Sequence, residues 1–423
     1  MASRIGQVLE WFQERLGTRE QLSKFLYRRL PEGTTWWHTL GSATLFLIIV
    51  QTVTGFFLAF YYVPSPEHAY DSLIYIQGEI PFGNFVRGLH HWGASVTVVV
   101  VFLHMLRVFF MGAYKYPREL SWMAGVCLFL LILLFGFTGY LLSWDQKAYW
   151  ATVVGTHIAG TAPLVGDYLW RILQGGTEVG ARTLGRFYAA HVLILPAVLY
   201  AFVLVHISMV IYQGIAPVPR GKLGIIRKDR YKEVYEKSKA KGESFLEHLF
   251  RDGIVSFLLF LVLVWMAIAW KVPMEELADP TSTTYVPRPE WYFYFLFELL
   301  WLFPGEWIPV ATFYIPVAGV LLLYSISLLD QPGDARRGER LFVEKGCATC
   351  HSIGGEGKIG PDLKQWKRYG SPILWAELMW NHALTMELKI RDFGLSWPQF
   401  ERNEMVDLIA YIQMEIGLPG ASK

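Results

Sequence analysis

Four histidines in apolar surroundings make two pairs of nearly equal spacing: His90 and His104 are 14 residues apart, His191 and His206 are 15 apart. On an α-helix 14 residues rotate to about −40° and 15 to about +60°, so each pair keeps to one face, about 21–23 Å apart along the axis. Neutral imidazole is a usual axial ligand of haem iron, and two facing helices supply two ligands per haem. The separation suits one haem near each face of a hydrocarbon layer about 30 Å thick. The expectation is two haems stacked across a membrane. His91 lies 13 residues from His104, points to the other face and is not taken as a ligand.

Glycines repeat the interval. Gly41 and Gly55 are 14 apart in one apolar segment, and Gly125 and Gly139 are 14 apart in another. Glycine costs about 1 kcal/mol against alanine inside a helix, so four at this spacing need a reason. Close approach of a flat macrocycle to the backbone at two depths is one. Tight helix–helix packing through small residues is the other. Beside the histidine pairs, contact with haem is the favoured reading.

Three cysteines are present, and two stand in Cys347-Ala348-Thr349-Cys350-His351, the spacing for covalent attachment of a c-type haem. The thiols form thioethers and His351 supplies one axial ligand. Gly338-Glu339-Arg340-Leu341-Phe342 leads in, Gly360-Pro361-Asp362-Leu363 follows, and an amphipathic helix over Asn403–Glu415 closes the segment. Met386, in a loop-like stretch before Trp397-Pro398, is the expected sixth ligand, because methionine raises the haem potential. Met379 and His382 are alternatives, and Met405 is expected to pack inside the closing helix. Cys127 reads as a small buried apolar residue.

Groups of this kind need long apolar helices to position them. Hydrophobic residues make up 53% of the 423 and aromatic ones 16%, with a mean hydropathy of +0.31. Runs of spanning length cover 40–62, 85–111, 121–142, 187–212, 253–270 and 307–329. The expected fold is an all-α membrane protein. An interfacial amphipathic helix over Val8–Leu30 falls in 1–37, a four-helix haem bundle in 38–212, a basic loop in 213–252 and further spans in 253–329. A small all-α cytochrome c domain occupies 330–423. Net charge is only +2, but 213–252 holds ten Lys and Arg while 63–84 holds none. The positive-inside rule puts that loop, and the turn with Lys115 and Arg118, in the cytoplasm. Acids interspersed among the bases argue for a solvated juxtamembrane loop, so no nucleic-acid partner is expected.

These motifs resemble the cytochrome b/b6 family, the membrane core of quinol:cytochrome c and plastoquinol:plastocyanin oxidoreductases. The resemblance runs over about 8–329. It rests on Arg87-x-x-His90, His104-x-x-Arg107, Phe135-Gly136-x-Thr138-Gly139-Tyr140, Trp144-Asp145-Gln146, Arg186-Phe187-Tyr188-x-x-His191 and Pro289-Glu290-Trp291-Tyr292. The 15-residue His191–His206 interval is similar to the b6 pattern, where mitochondrial-type members have one residue fewer. Residues 334–423 resemble a class I cytochrome c behind a shortened subunit-IV-like part. The resemblance implies two non-covalent b haems, one held by His90 and His191 and one by His104 and His206, beside one covalent c haem. It implies a quinol pocket near the outer face, between the connection after the third span and the Pro289–Tyr292 segment. Glu290 would accept the proton, with Tyr292 beside it and Tyr149 and Asp145 lining the site. Outside that context Glu290 reads as a helix cap or a partner of Arg288. Arg87, Arg107, Arg118 and Arg186 are candidate partners of haem propionates, since guanidinium pairs bidentately with carboxylate. Arg107 and Arg118 read equally well as interfacial anchors.

The chain departs from the family at three positions. Counting from Gln51–Gly55, Thr39 stands where b6-type chains attach an extra haem through cysteine. Ile211 stands where a basic residue would serve the inner quinone site, and Ser143 replaces a proline before Trp144-Asp145. Six spans with the basic loop inside put the cytochrome c domain in the cytoplasm, whereas haem c chemistry belongs outside. The outer face of a bacterial cytoplasmic membrane is the expected location. Three cysteines, two taken by haem c, cannot build a Cys2His2 cluster, so a separate Rieske iron–sulfur subunit is expected. The other expected partners are a downstream c-type cytochrome or terminal oxidase, quinone, membrane lipid and a second copy of the complex. The expected function is quinol oxidation coupled to proton translocation. The alternatives are an electron-conduit or anchor subunit, and a quinone-reducing subunit fed through haem c.

Overall fold

The computed structural model describes 18–216 and 231–416 apart from 283, 330–332, 357, 367–371, 395 and 402, together with 6, 11 and 13–15. Contacts divide the chain into two compact units. One comprises Met1–Arg28, Thr35–Ile215 and Ser244–Ser327; the other comprises Arg29–Thr34, Ala216–Glu243 and Leu328–Lys423. The fold is all-α, with one isolated bridge, Asp145 to Leu277, among the described residues.

In the first unit the helices are α1 (Thr18–Leu26), α2 (Leu40–Ala59), α3 (Ala69–Gly78), α4 (Gly83–Phe110), α5 (Glu119–Tyr140), α6 (Gln146–Gly160), α7 (Gly166–Gln174), α8 (Ala181–Ala189) and α9 (Leu195–Gln213). Beyond the basic segment, whose helix α10 (Tyr231–Ala240) belongs to the second unit, come α11 (Phe245–Ala269), α12 (Tyr294–Leu302) and α13 (Ile315–Leu329). The described residues hold six helical stretches long and apolar enough to cross a membrane: Trp36–Ala59, Gly83–Phe110, Glu119–Ser143, Ala181–Gln213, Phe245–Ala269 and Gly305–Ser327. They coincide with the six apolar runs. Trp291–Leu302 is apolar but shorter. Of the helix expected over Val8–Leu30, α1 is present, and 8–10, 12, 16 and 17 lie outside the described residues. So do the basic residues Arg220, Lys222, Arg227, Lys228 and Arg230.

Four spans pack into a bundle. Its core takes Ile48 from α2, Val98 and Val101 from α4, Ile132 from α5, and Leu199 and Val203 from α9, with Tyr292 joining them. On the other side of α2 and α4 lies α11, where Leu263 and Ala267 meet Leu47, Leu89 and Val100. A Cβ on Gly88 would come within 3.0 Å of the Ala267 backbone, so the glycine lets α4 and α11 approach closely. Ser42 donates to the buried Asp252 at 2.6 Å and ties α2 to α11. Phe56, Leu204 and Ile268 stay more than half exposed, as suits side chains facing lipid tails.

One irregularity positions a histidine. Ala190–Ile194 forms a π-turn in which the Leu195 N–H donates to the Ala190 carbonyl, five residues back. Pro196 follows, and its missing N–H releases the helix from the regular pattern. The turn inserts one residue between His191 and His206. Their 15-residue interval therefore rotates like the 14-residue interval of His90 and His104. Val310–Tyr314 repeats the device, with Ile315 donating to Val310 ahead of Pro316.

In the second unit, α14 (Ala335–Glu344), α15 (Cys347–Cys350), α16 (Pro372–Asp392) and α17 (Glu404–Glu415) follow in order. Phe342, Leu363, Leu408, Ile409, Ile412 and Ile416 form its core, with Cys347 and Met405 packed against it. Gly338 on α14 lies against the Asp407 carbonyl of α17, closer than any Cβ allows. Met386 lies within α16 rather than in a loop. Its surroundings, Met386-Glu387-Leu388-Lys389, are good helix formers, and the helix ends only before Gly394 at φ 64°.

Candidate functional site

Each of the four glycines faces one of the four histidines. A Cβ on Gly41 would meet the Cε1 of His104 at 3.2 Å, and one on Gly55 that of His90 at 3.0 Å. On Gly139 it would meet His191 at 2.8 Å, and on Gly125 it would meet His206 at 3.6 Å. The 14-residue glycine and histidine repeats thus interlock across the bundle at two depths. The rings of His90 and His191 face each other with centroids 6.3 Å apart. Two metal–nitrogen bonds of about 2 Å and two ring half-widths of about 1 Å span about 6 Å, so the gap matches one iron between them. At this depth threonines fix the rings. Thr54 Oγ1 lies 2.9 Å from His90 Nδ1, and Thr138 Oγ1 lies 2.9 Å from His191 Nδ1. That leaves both Nε2 atoms for a metal. At the other depth His104 Nδ1 and His206 Nδ1 are buried without a protein partner.

The four arginines separate into two kinds. Arg118 donates to the Gly214 and Gln213 carbonyls at 3.1 and 3.2 Å, capping the end of α9. Arg186 donates to the Arg171 and Ile172 carbonyls near the end of α7 and lies against Gly175. Arg87 Nη1 and Arg107 Nε are buried with no hydrogen-bond partner, three residues from His90 and His104 respectively. A buried guanidinium without an anion is costly. These two, one at each depth, fit the carboxylates of a haem, while the other two are engaged by helix ends.

A cavity of about 420 Å³ joins one haem level to the chemistry beside it. It is lined by Gly55, His90, Gly139 and His191, and also by Asp145, Lys147, Glu275, Glu290 and Tyr292. The volume is that of a small-molecule site. Tyr292 leans on Gly136, where a Cβ would meet its hydroxyl at 3.0 Å. The Phe135–Tyr140 motif thus spends one glycine on a tyrosine and the next on a histidine. Trp144 turns through the left-handed region at φ 53°, a rare conformation for a bulky residue. The turn lets the buried Asp145 accept from Ala148 N at 2.9 Å as the cap of α6 and from Glu275 N at 3.2 Å. Glu290 does not meet Arg288; Lys147 Nζ donates to Glu290 Oε1 at 2.6 Å, both side chains being largely buried. Tyr149 packs with Trp144, Ala69 and Leu184, away from the cavity lining, and burial raises its phenol. Tyr62 donates to the Leu142 carbonyl and stacks on Tyr188, both rings lining the cavity; burial holds the Tyr62 phenol above its usual range.

In the second unit Cys347 and Cys350 are free thiols one helical turn apart on α15, and burial pushes the Cys347 thiol up to about 11. His351 follows, with Nδ1 on the Pro361 carbonyl at 3.0 Å and its ring against Gly360. Nδ1 is taken, so Nε2 is the ligand atom. This Cys-Cys-His arrangement fits a covalently attached haem. Met386 lies half-buried on α16.

Sequence reasoning missed Thr54, Thr138 and Lys147. A signal existed for the threonines, since Thr-Gly occurs at both glycines of one depth, Thr54-Gly55 and Thr138-Gly139. Lys147 had none, because its partner is 143 residues away.

The family model cytochrome b/b6/petB matches 27–214 and the cytochrome c model matches 335–414. The chain is 35% identical to the cytochrome bc complex cytochrome b subunit of Chlorobaculum thiosulfatiphilum, over 81% of this chain and 78% of that protein. It is 44% identical to the menaquinol:cytochrome c reductase cytochrome b subunit of Bacillus subtilis, over 50% of this chain and 98% of that one. A solved structure titled hyperthermophilic respiratory Complex III superposes with a TM-score of 0.65 at 31% identity, covering 79% of this chain and 87% of that one.

Proposed function

The chain belongs to the cytochrome b/b6 family, as a multi-pass cytochrome b–c fusion of a bc-type complex, and we propose that it oxidises quinol at the cavity beside Glu290. The carrying observation is that one cavity is lined both by the His90–His191 level and by the Glu290–Lys147 pair. A quinol there meets a proton acceptor and an electron exit within one enclosure. When bound, two b haems and one c haem supply one-electron transfer, across the bilayer and onward to a c-type acceptor. His90 and His191 hold one b haem and His104 and His206 the other, with Arg87 and Arg107 on their carboxylates. His351 and Met386 are the axial ligands in the cytochrome c domain.

The remaining chemistry belongs to side chains. Glu290 takes a quinol proton, and Tyr292, resting on Gly136, bounds the space where the ring sits. Asp145 and Tyr149 act as positioning residues: Asp145 pins Glu275 and starts α6, and Tyr149 backs Trp144. The first electron goes to a Rieske iron–sulfur subunit, because this chain's cysteines cannot make such a cluster. Proton release at this face and uptake at the other couple the reaction to proton translocation. We place the complex as a dimer in a bacterial cytoplasmic membrane, with the cytochrome c domain on the outer face, where haem c is attached. The Bacillus relative carries menaquinol in its name, so a menaquinol is the first substrate to try.

The test is Glu290→Gln in the assembled complex, with b-haem reduction by quinol followed in a stopped-flow spectrometer. A general base contributes about 10²–10⁴ in rate, so a loss of that order is expected. An unchanged rate at every pH removes Glu290 from the role.

A further inference from the structure

Three carboxylates line the cavity, and each is held differently. Asp145 accepts from Ser143 Oγ, Ala148 N and Glu275 N. Glu275 accepts from the Tyr285 hydroxyl at 2.6 Å. Glu290 is held by a cation, Lys147 Nζ at 2.6 Å, with side-chain exposures of 25% for the lysine and 16% for the glutamate. The two partners come from separate elements. Lys147 stands in the first turn of α6, behind the Asp145 cap, and Glu290 precedes the 3₁₀ turn Trp291–Phe293. The pair therefore bridges the connection after the third span to the segment carrying Tyr292. An ammonium at the start of a helix is unfavourable to the helix dipole, so local helix stability does not account for it.

We propose that Lys147 is a positioning residue for quinol oxidation, holding Glu290 ionised and aimed into the cavity until it takes the substrate proton. This rests on the assignment of Glu290 as acceptor. Protonation of the carboxyl turns the ion pair into an ordinary hydrogen bond, and the carboxyl is then free to leave the lysine and carry its proton away. The other ionisable side chains lining the cavity are Arg87, His91, Tyr140 and Tyr292, with Asp145 and Glu275 as described. Arg87 is the other permanent cation among them, and it stands at the haem level.

The experiment compares Lys147→Met and Lys147→Arg with the parent complex, measuring quinol-driven b-haem reduction from pH 5 to 9, normalised to haem content. An opposite charge at ion-pair distance favours the charged carboxyl by about one to three pH units. Lys147→Met is therefore expected to move the acidic limb of the rate profile upward by about one unit, and Lys147→Arg to restore it. Glu290→Gln serves as the control that separates the two assignments. If Glu290→Gln abolishes the reaction and Lys147→Met lowers the rate equally at all pH values, the lysine is merely structural and the proposal fails. If Glu290→Gln leaves the rate intact, the acceptor assignment fails and the proposal with it. A Glu290 carboxyl band in infrared difference spectra that titrates at higher pH in Lys147→Met than in the parent supports the proposal independently of turnover; an unmoved band overturns it.

Discussion

At the scale of single residues, spacing carried most of the site. Equal intervals of glycine and histidine are visible in a linear sequence because each helix repeats its own face. The structure adds which glycine serves which histidine: Gly55 with His90, Gly139 with His191, Gly41 with His104 and Gly125 with His206. The contacts are graded, which makes a prediction. Gly139→Ala puts a Cβ 2.8 Å from His191, whereas Gly125→Ala puts one at an ordinary 3.6 Å from His206. Overpacking of this kind costs about 1–3 kcal/mol. Gly139→Ala is expected to lower the b-haem content per chain by pyridine haemochrome assay, and Gly125→Ala to lower it less; the reverse order would contradict the geometry. The arginines were not separable by sequence. Arg87, Arg107, Arg118 and Arg186 all stand near helix ends or histidines, and only the carbonyls around Arg118 and Arg186 show which two are engaged elsewhere. Long-range pairs such as Lys147 with Glu290 were invisible for the same reason: nothing local records them.

At the scale of elements, the six spans could be read directly, since a run of about 20 apolar residues has few other uses. Their ends shifted by several residues, because capping and turn chemistry set the ends while hydropathy sets the middles. Met386 was misplaced for a related reason: Trp397-Pro398 signals a break, but the helix runs unbroken to Asp392 before it. The π-turn at Ala190–Ile194 also escaped sequence reasoning, though Pro196 was there to suggest it. It explains why intervals of 14 and 15 residues serve one bundle. Deleting Leu193, an exposed residue inside the turn, should close the π-turn into α-helix and keep His191 and His206 on one face. Deleting Leu204 instead should swing His206 by about 100°. The first variant is expected to keep its b-haem complement in a reduced-minus-oxidised spectrum, the second to lose the haem of His104 and His206.

At the scale of the whole molecule, the chain joins a membrane bundle to a small haem domain. Counting spans gives an even number and returns the chain to the side on which it began, while haem attachment and electron delivery demand the outer face. Placing the cytochrome c domain outside predicts that protease added to intact spheroplasts cleaves it and releases a haem-staining fragment. Cleavage only after the membrane is opened would put the domain inside. The fusion itself has a kinetic meaning: a tethered acceptor works at an effective concentration of the order of millimolar for a short flexible link, so electron delivery does not wait for a diffusing partner.

The π-turn also bears on how these membrane helices are to be compared with one another. A helix that keeps its histidine face while holding one more residue cannot be matched to a shorter counterpart by placing the length difference in a loop. The gap in such an alignment belongs inside the helix, between Ala190 and Leu195. Placed anywhere else, it shifts the residues between the gap and the π-turn by one position.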